Sequence, residues 1–312
     1  MKRLFIFTLV LAVGTAWGMT FPDVSYGVVV TCGDYLLAFT RGLSNRFFML
    51  DRDGRIVLDS RGSGWDYETY VNGALAPDGR TLALLVDDAS VSYIAVVGPD
   101  GGRREFKYDY SCSCPVWDGD GNLWYTAGGL LYKNGESTGL GVKTGHISIS
   151  PDGRYLAYVP YLYAGTDSRS PESLDVPGTI YRLDVETGAK DVVADNREFI
   201  IPFYTTTGHI VAASWEGEVW LFEPGGEGIM ISEGMHPAWC AETKSVLFIR
   251  AGPEANGEYI PESEIWLYEL AGNLWQMTDT PDVAETWPVS WRGDIVATDN
   301  ESNELIYIEQ EW

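Results

Sequence analysis

Basic side chains are scarce in this 312-residue sequence: 21 Lys and Arg stand against 45 Asp and Glu, a formal net charge of −24. A surface this acidic repels nucleic acid and anionic lipid, so neither is expected as a partner. It favours cations, basic proteins or amines, or gives solubility alone. Cysteine is scarce too. Cys32, Cys112, Cys114 and Cys240 are too few for a disulfide scaffold. Disulfides and buried free thiols are both open readings. Cys112 and Cys114 stand two apart on one expected strand, so a bond between them would be strained. No stretch of useful length carries the period of a helix. Beyond the N-terminus no apolar run is long enough to cross a bilayer, and no low-complexity linker divides the chain.

The N-terminus is a separate matter. Lys2 and Arg3 form a basic start, Leu4 to Val13 an apolar stretch, and Ala16-Trp17-Gly18 supplies small residues for a signal peptidase. The pattern predicts a secretory signal peptide over residues 1–18 and one domain over residues 19–312, with a retained N-terminal anchor as the alternative. No Cys follows the cut, so lipid attachment is not indicated. The mature chain is expected to be periplasmic or secreted, soluble and monomeric, with no membrane insertion. Loss of Lys2 and Arg3 takes the charge from −24 to −26.

What is abundant is the β-hairpin. His146 to Val159 reads HISISPDGRYLAYV: an alternating run, the turn Ser150-Pro151-Asp152-Gly153, then a second apolar run. Related hairpins recur seven times along the chain. Their second strands are Tyr35–Phe39, Thr81–Leu85, Leu123–Thr126, Tyr155–Val159, His209–Ala213, Ser245–Ile249 and Asp294–Ala297. Most units add a third and fourth strand joined by a polar or glycine turn, such as Asp51-Arg52-Asp53-Gly54 or Glu186-Thr187-Gly188. Four antiparallel strands per unit, repeated, predict an all-β propeller, with seven blades as the first reading and six as the alternative. Dividing the 294 residues that follow position 18 by seven gives 42 per blade, which suits four strands. The last unit stops early, and Thr20 to Ser25 is expected to supply its missing outer strand and close the ring.

Ala76-Pro77-Asp78-Gly79-Arg80-Thr81-Leu82-Ala83 and Ser150-Pro151-Asp152-Gly153-Arg154-Tyr155-Leu156-Ala157 resemble the repeats of TolB-type propellers, also called PD40 or WD40-like repeats. Pro115-Val116-Trp117 and Pro237-Ala238-Trp239 resemble the stretch before that motif. The resemblance implies a propeller and leaves function open. The separate N-terminal domain of TolB is not expected here.

In such a blade the start of the first strand and the second-to-third connection share one face. Two of those connections are long, acidic and rich in Tyr and Pro: Tyr161–Thr179 and Ala251–Glu264. Long loops on a rigid scaffold are where recognition usually sits, although insertion drift gives the same look. Aligned first strands place His146 and His236 at one repeat position, with Asn72, Cys114 and Ile201 as equivalents. Asp167, Glu172, Asp175, Glu262 and Glu264 lie in the flanking loops, so a divalent metal site can be drawn, but ordinary polar lining explains the same residues. Trp287, at another strand start, is a candidate exposed platform for a sugar.

Other matches are weaker. Gly135-Glu136-Ser137-Thr138-Gly139 fits the nucleophile-elbow pattern but sits in a short hairpin with no hydrolase domain around it. Asp118-Gly119-Asp120-Gly121-Asn122 starts like a calcium loop, yet Gly129 stands where the bidentate Glu belongs. The expected function is a non-catalytic binding or scaffold propeller for a protein or peptide partner, with no cofactor. Its binding residues are drawn from His146, His236, Asn72, Cys114, Trp287, Asp167, Glu172 and Glu262. The alternatives are a lyase or hydrolase acting on a small ligand or glycan in the channel, and a structural subunit of an envelope complex.

Overall fold

The computed structural model describes residues 25–32, 34–41, 46–51, 53–60, 68–87, 91–160, 178–225, 227–252, 262–280, 283–299 and 305–309. Among these the regular structure is entirely strand, arranged as six four-stranded antiparallel sheets and one three-stranded sheet. The fold is a seven-bladed β-propeller. Strands within each blade are named a to d in chain order.

The chain divides into two compact units, Glu68–Glu233 and the flanking Met1–Tyr67 with Gly234–Trp312. The first holds blades 2 to 5. Blade 2 runs Thr69–Leu75, Leu82–Asp87, Ser92–Val97 and Arg103–Phe106; blade 3 runs Val116–Trp117, Leu123–Ala127, Leu130–Lys133 and Glu136–Gly141. Blade 4 runs Ile147–Ile149, Tyr155–Tyr158, Ile180–Asp184 and Lys190–Ala194; blade 5 runs Phe199–Tyr204, Ile210–Ser214, Glu218–Phe222 and Gly228–Glu233. The second unit holds blade 1 (Ser25–Cys32, Tyr35–Arg41, Phe47–Leu50, Ile56–Asp59) and blade 6 (Met235–Cys240, Ser245–Ala251, Ser263–Glu269, Leu274–Gln276). Blade 7 adds Glu285–Trp291, Asp294–Asp299 and Leu305–Ile308.

Burial follows strand position. Every residue of strand b is buried in blades 3 and 5, because these apolar runs are covered on both sheet faces. Strand d is the exposed edge: in blade 3 only Leu140 is even half-buried. Cores form between neighbouring blades of a unit. Leu131 of blade 3 meets Ile147, Leu156 and Leu183 of blade 4, and Ile249 and Ile265 of blade 6 meet Ile295 and Ile306 of blade 7. At about 25 cal/mol per Å2 of apolar surface, each such side chain contributes on the order of 2 kcal/mol.

The Pro-Asp-Gly turns work as local chemistry dictates. Asp78 Oδ1 accepts the backbone N–H groups of Arg80 and Thr81 at 2.8 Å, and Gly79 closes the turn at φ 65°. Asp152 caps its own turn through the N–H of Arg154 and the hydroxyl of Ser150. Asp118 caps likewise: Asn122 N–H, Asn122 Nδ2 and Trp124 Nε1 all donate to its carboxylate, leaving a satisfied turn rather than an open calcium loop. Ser137 lies on the outer strand of the blade 3 hairpin.

Two expectations need restating. Ser25 opens strand a of blade 1 and pairs with Arg41, whereas residues 20–24 lie outside the described residues; blade 7 shows three strands. Cys112 and Cys114 do not share a regular strand. Cys112 makes one isolated bridge to Ala127, Cys114 sends its N–H to Gly145 O in the next blade, and strand a starts only at Val116. Pro115 has no N–H to continue the ladder. Cys112, Cys114 and Cys240 are free thiols, and the side chain of Cys32 is outside the described residues.

Candidate functional site

One backbone device recurs at the start of strand a. In blade 5 the residues Ile201 and Pro202 stand opposite the single residue Ala212, between the pairs Ile200↔Ala213 and Phe203↔Val211. In blade 6 His236 and Pro237 stand opposite Phe248, and in blade 7 Trp287 and Pro288 stand opposite Ala297. Each is a β-bulge, two residues against one. In each, the residue before the proline is left-handed: φ is 43° at Ile201, 51° at His236 and 52° at Trp287. An L-residue there costs roughly 1–2 kcal/mol, and more when β-branched. The proline removes the N–H that a bulge would strand. Blade 2 carries a related irregularity, with Val71 inserted between Tyr70↔Val86 and Asn72↔Leu85.

The side chains so presented differ. Ile201 is 42% exposed, unusual for an isoleucine in a strand. Also in blade 5, Trp215 begins the b–c turn and is 72% exposed, held by its N–H to Glu198 O at 2.9 Å. Strand a starts and b–c turns lie at the same end of a blade, so blade 5 offers two large apolar groups on one face. In the other unit His236 stacks on Trp287, ring centroids 3.9 Å apart and 11° from parallel. The sugar platform expected at Trp287 therefore has one ring face covered.

In blades 2 to 4 the residues aligned with them in sequence are polar, and in blade 2 Asn72 pairs with Leu85 instead of sitting in the bulge. Asn72 Nδ2 donates to Cys114 Sγ at 3.2 Å, and Asn72 Oδ1 takes the N–H of Gly73. Burial pushes the Cys114 thiol up to about 11, so the sulfur stays protonated near neutral pH. His146 is half-buried, and burial lowers its pKa, leaving a neutral imidazole at pH 7. Thr144 Oγ1 bridges the backbone oxygens of His146 and Val159 and fixes where strand a begins.

The loop carboxylates divide. Asp167, Glu172 and Asp175 lie outside the described residues. Glu262 closes the described end of its loop, its backbone oxygen accepting Gly252 N–H at 3.0 Å. Glu264 accepts the Thr280 N–H. Among the described residues no group of three or more His, Cys, Asp or Glu is placed to hold a metal.

Sequence reasoning missed two residues. Trp215 was visible as a tryptophan in the short b–c turn Trp215-Glu216-Gly217. Glu285, at the start of strand a of blade 7, is fully buried. It accepts hydrogen bonds from Thr278 Oγ1, Thr280 Oγ1 and Ile265 N–H. Burial raises its pKa to about 7 against those hydrogen bonds, with Glu264 adding to the rise. No local signal marks it, because its partners come from two other stretches of chain.

Solved structures place the chain in a fold class. It is similar to the β-propeller domain of Cps50 (Swd1) from Myceliophteria thermophila, at TM-score 0.65 and 13% identity over 94% of this chain and 99% of that one. It is also similar to the hydrazine synthase of Kuenenia stuttgartiensis, at TM-score 0.63 and 13% identity over 95% and 99%. A prolyl endopeptidase matches at TM-score 0.61 and 10% identity over 92% of this chain and 50% of its own. At such identity these likenesses define a β-propeller and carry no activity with them. No protein-family model matches the sequence. No curated protein matches it either.

Proposed function

We propose that this chain is an exported, non-catalytic recognition propeller of the TolB-like kind. It holds a protein or peptide partner of basic character on the end of blade 5 formed by the start of strand a and the b–c turn. The observation that carries the reading is the recurring bulge, three times spent on backbone strain to present Ile201, His236 and Trp287 at one repeat position. Strain of this kind persists where surrounding structure over-determines it and concentrates at functional positions. Exposed Trp215, in the b–c turn of the same blade as Ile201, adds the aromatic anchor that binding surfaces favour. The formal charge of −24 supports a basic partner through steering and complementarity. A protonated Cys114 thiol bonded to Asn72 supports binding over nucleophilic chemistry.

The test is cross-linked co-purification from the native host, using the mature chain and an Ile201→Ser, Trp215→Ser variant. A basic partner recovered with the first and lost with the second supports the reading. The same partner recovered equally with both removes this face from consideration.

A further inference from the structure

Blades 4 and 5 enclose a cleft of about 440 Å3 at the end of blade 5 opposite its Ile201 bulge. It opens among the a–b turns of the two blades and the c–d turn of blade 5. The volume falls within the range of small-molecule sites, roughly 300–1,000 Å3. Its floor is apolar, Val193 and Ile210 belonging to the packing between the blades. Its charged and polar groups are of two kinds.

On one side stand unused donors. The Tyr204 hydroxyl is buried with no hydrogen-bond partner, and so is Nε of Arg182; both residues line the cleft. Arg182 is anchored from behind by Nη2 to Asp191 at 3.1 Å and lies over the Tyr155 ring at 5.1 Å. On the other side stand carboxylates, Asp152 and Glu223. The two hydrogen bonds that Asp152 accepts from Ser150 and Arg154 both end on Oδ1. Burial raises the pKa of the Tyr204 phenol; against that rise Arg182 pulls it down and Asp152 pushes it further up, so both charges reach that hydroxyl. The Tyr155 ring carries Arg154 as well as Arg182 at 5.1 Å, which leaves it poorly placed to stack on a sugar.

We infer that this cleft binds a small zwitterion of the α-amino acid or short-peptide class. Its carboxylate is received by Arg182 and Tyr204, and its ammonium by Asp152 and Glu223. Donors left without partners are costly, and a carboxylate that reaches them through a side-chain shift satisfies both at once. The inference stands apart from the partner-binding face and survives or fails without it.

The experiment is calorimetric titration of the mature chain with L-leucine and the dipeptide Ala-Leu, beside N-acetyl-Ala-Leu, Ala-Leu amide, maltose and inorganic phosphate. Expected is saturable binding of leucine, Ala-Leu or both, weakened about tenfold or more by blocking either terminus, as losing one charged hydrogen-bonded contact predicts. Leucine alone or Ala-Leu alone identifies free amino acid or peptide as the source. Tyr204→Phe and Arg182→Gln should each weaken the same binding. Tyr204→Phe removes a hydroxyl that bonds nothing in the protein, so its melting temperature should equal or exceed that of the parent and separate binding from folding. Phosphate or maltose binding as well as the zwitterions overturns the inference, as does no saturable binding by leucine or Ala-Leu. Zwitterion binding indifferent to Tyr204→Phe and Arg182→Gln overturns the site.

Discussion

The imidazole of His236 lies flat on the indole of Trp287, 3.9 Å between centroids, although the two side chains leave different blades. Both residues are the left-handed member of their bulge. Stacked aromatic pairs couple by roughly 0.5–1.5 kcal/mol beyond area burial. A double-mutant cycle over His236→Ala and Trp287→Ala, read by urea denaturation, should return a coupling in that range. A coupling indistinguishable from zero would make the stack incidental.

Ile201 is a β-branched residue held at φ 43° with a largely exposed side chain. If it is kept for recognition, it is a poor choice for stability. Ile201→Gly should leave stability unchanged or raise it by up to about 1 kcal/mol, relief of left-handed strain outweighing glycine entropy. A loss of 2 kcal/mol or more by chemical denaturation would show that the side chain packs instead.

Glu285 sets a pH dependence. Its folded pKa, about 7, exceeds the model-peptide value of 4.5. The folded state therefore binds more protons than the unfolded state between those values, and stability falls as pH rises through that window. Its stabilising contribution is complete below pH 4.5 and gone above about 7, a change of at most about 3 kcal/mol. Denaturation midpoints across pH 4.5–8 should show the decline, and Glu285→Gln should flatten it. An unchanged slope in the variant would assign the dependence elsewhere.

Glu68, just before strand a of blade 2, receives Arg103 in a bidentate pair at 2.7 Å together with the Tyr70 and Tyr93 hydroxyls. Burial alone would raise the carboxyl's pKa, but these four donors hold it below the usual value. Side-chain exposure is only 13% at Arg103 and 26% at Glu68, so screening is partial. Arg103→Leu leaves the carboxylate facing two phenols and should cost about 2 kcal/mol. A loss under 0.5 kcal/mol would place the pair among ordinary surface ion pairs.

Asp118 is the hub of the blade 3 turn and its oxygens are already taken by donors from Asn122 and Trp124. Asp118→Ala should cost about 2 kcal/mol, since a buried indole N–H and turn amides lose their acceptor. Millimolar calcium should leave the melting temperature where it was. A calcium-dependent rise would mean that the turn opens to bind metal.

The fold was legible because its signals are local. Alternation, Pro-Asp-Gly turns and buried b strands repeat often enough to survive weak units such as blade 1. The strand a starts align in sequence over Asn72, Cys114, His146, Ile201 and His236; in the ladders Ile201 and His236 share the bulge, whereas Asn72 pairs with Leu85 and Cys114 precedes its strand. The bulges were not. A residue before proline is steered toward extended backbone, so nothing in Ile201-Pro202 announces a left-handed turn. The ladder pairs on either side impose it. The His236–Trp287 stack, the Glu285 burial and the cleft of Tyr204 and Arg182 arise between segments distant in sequence. Of the loops expected to carry recognition, Tyr161–Thr179 and Ala251–Glu264, residues 161–177 and 253–261 lie outside the described residues.

The bulges also separate two tasks that proteins often struggle to keep apart. In blade 5 register is held by Ile200↔Ala213 and Phe203↔Val211, so Ile201 and Pro202 share one place in the ladder and neither sets the register. The exposed Ile201 can be exchanged without renegotiating the packing beneath it, whereas His236 and Trp287 stack on each other and change as a pair. A chain built this way can change what it recognises faster than it changes how it folds. Relatives are then expected to keep the proline at these sites while the residue before Pro202 varies freely and those before Pro237 and Pro288 vary together. The same three positions are where a new specificity could be grafted by design.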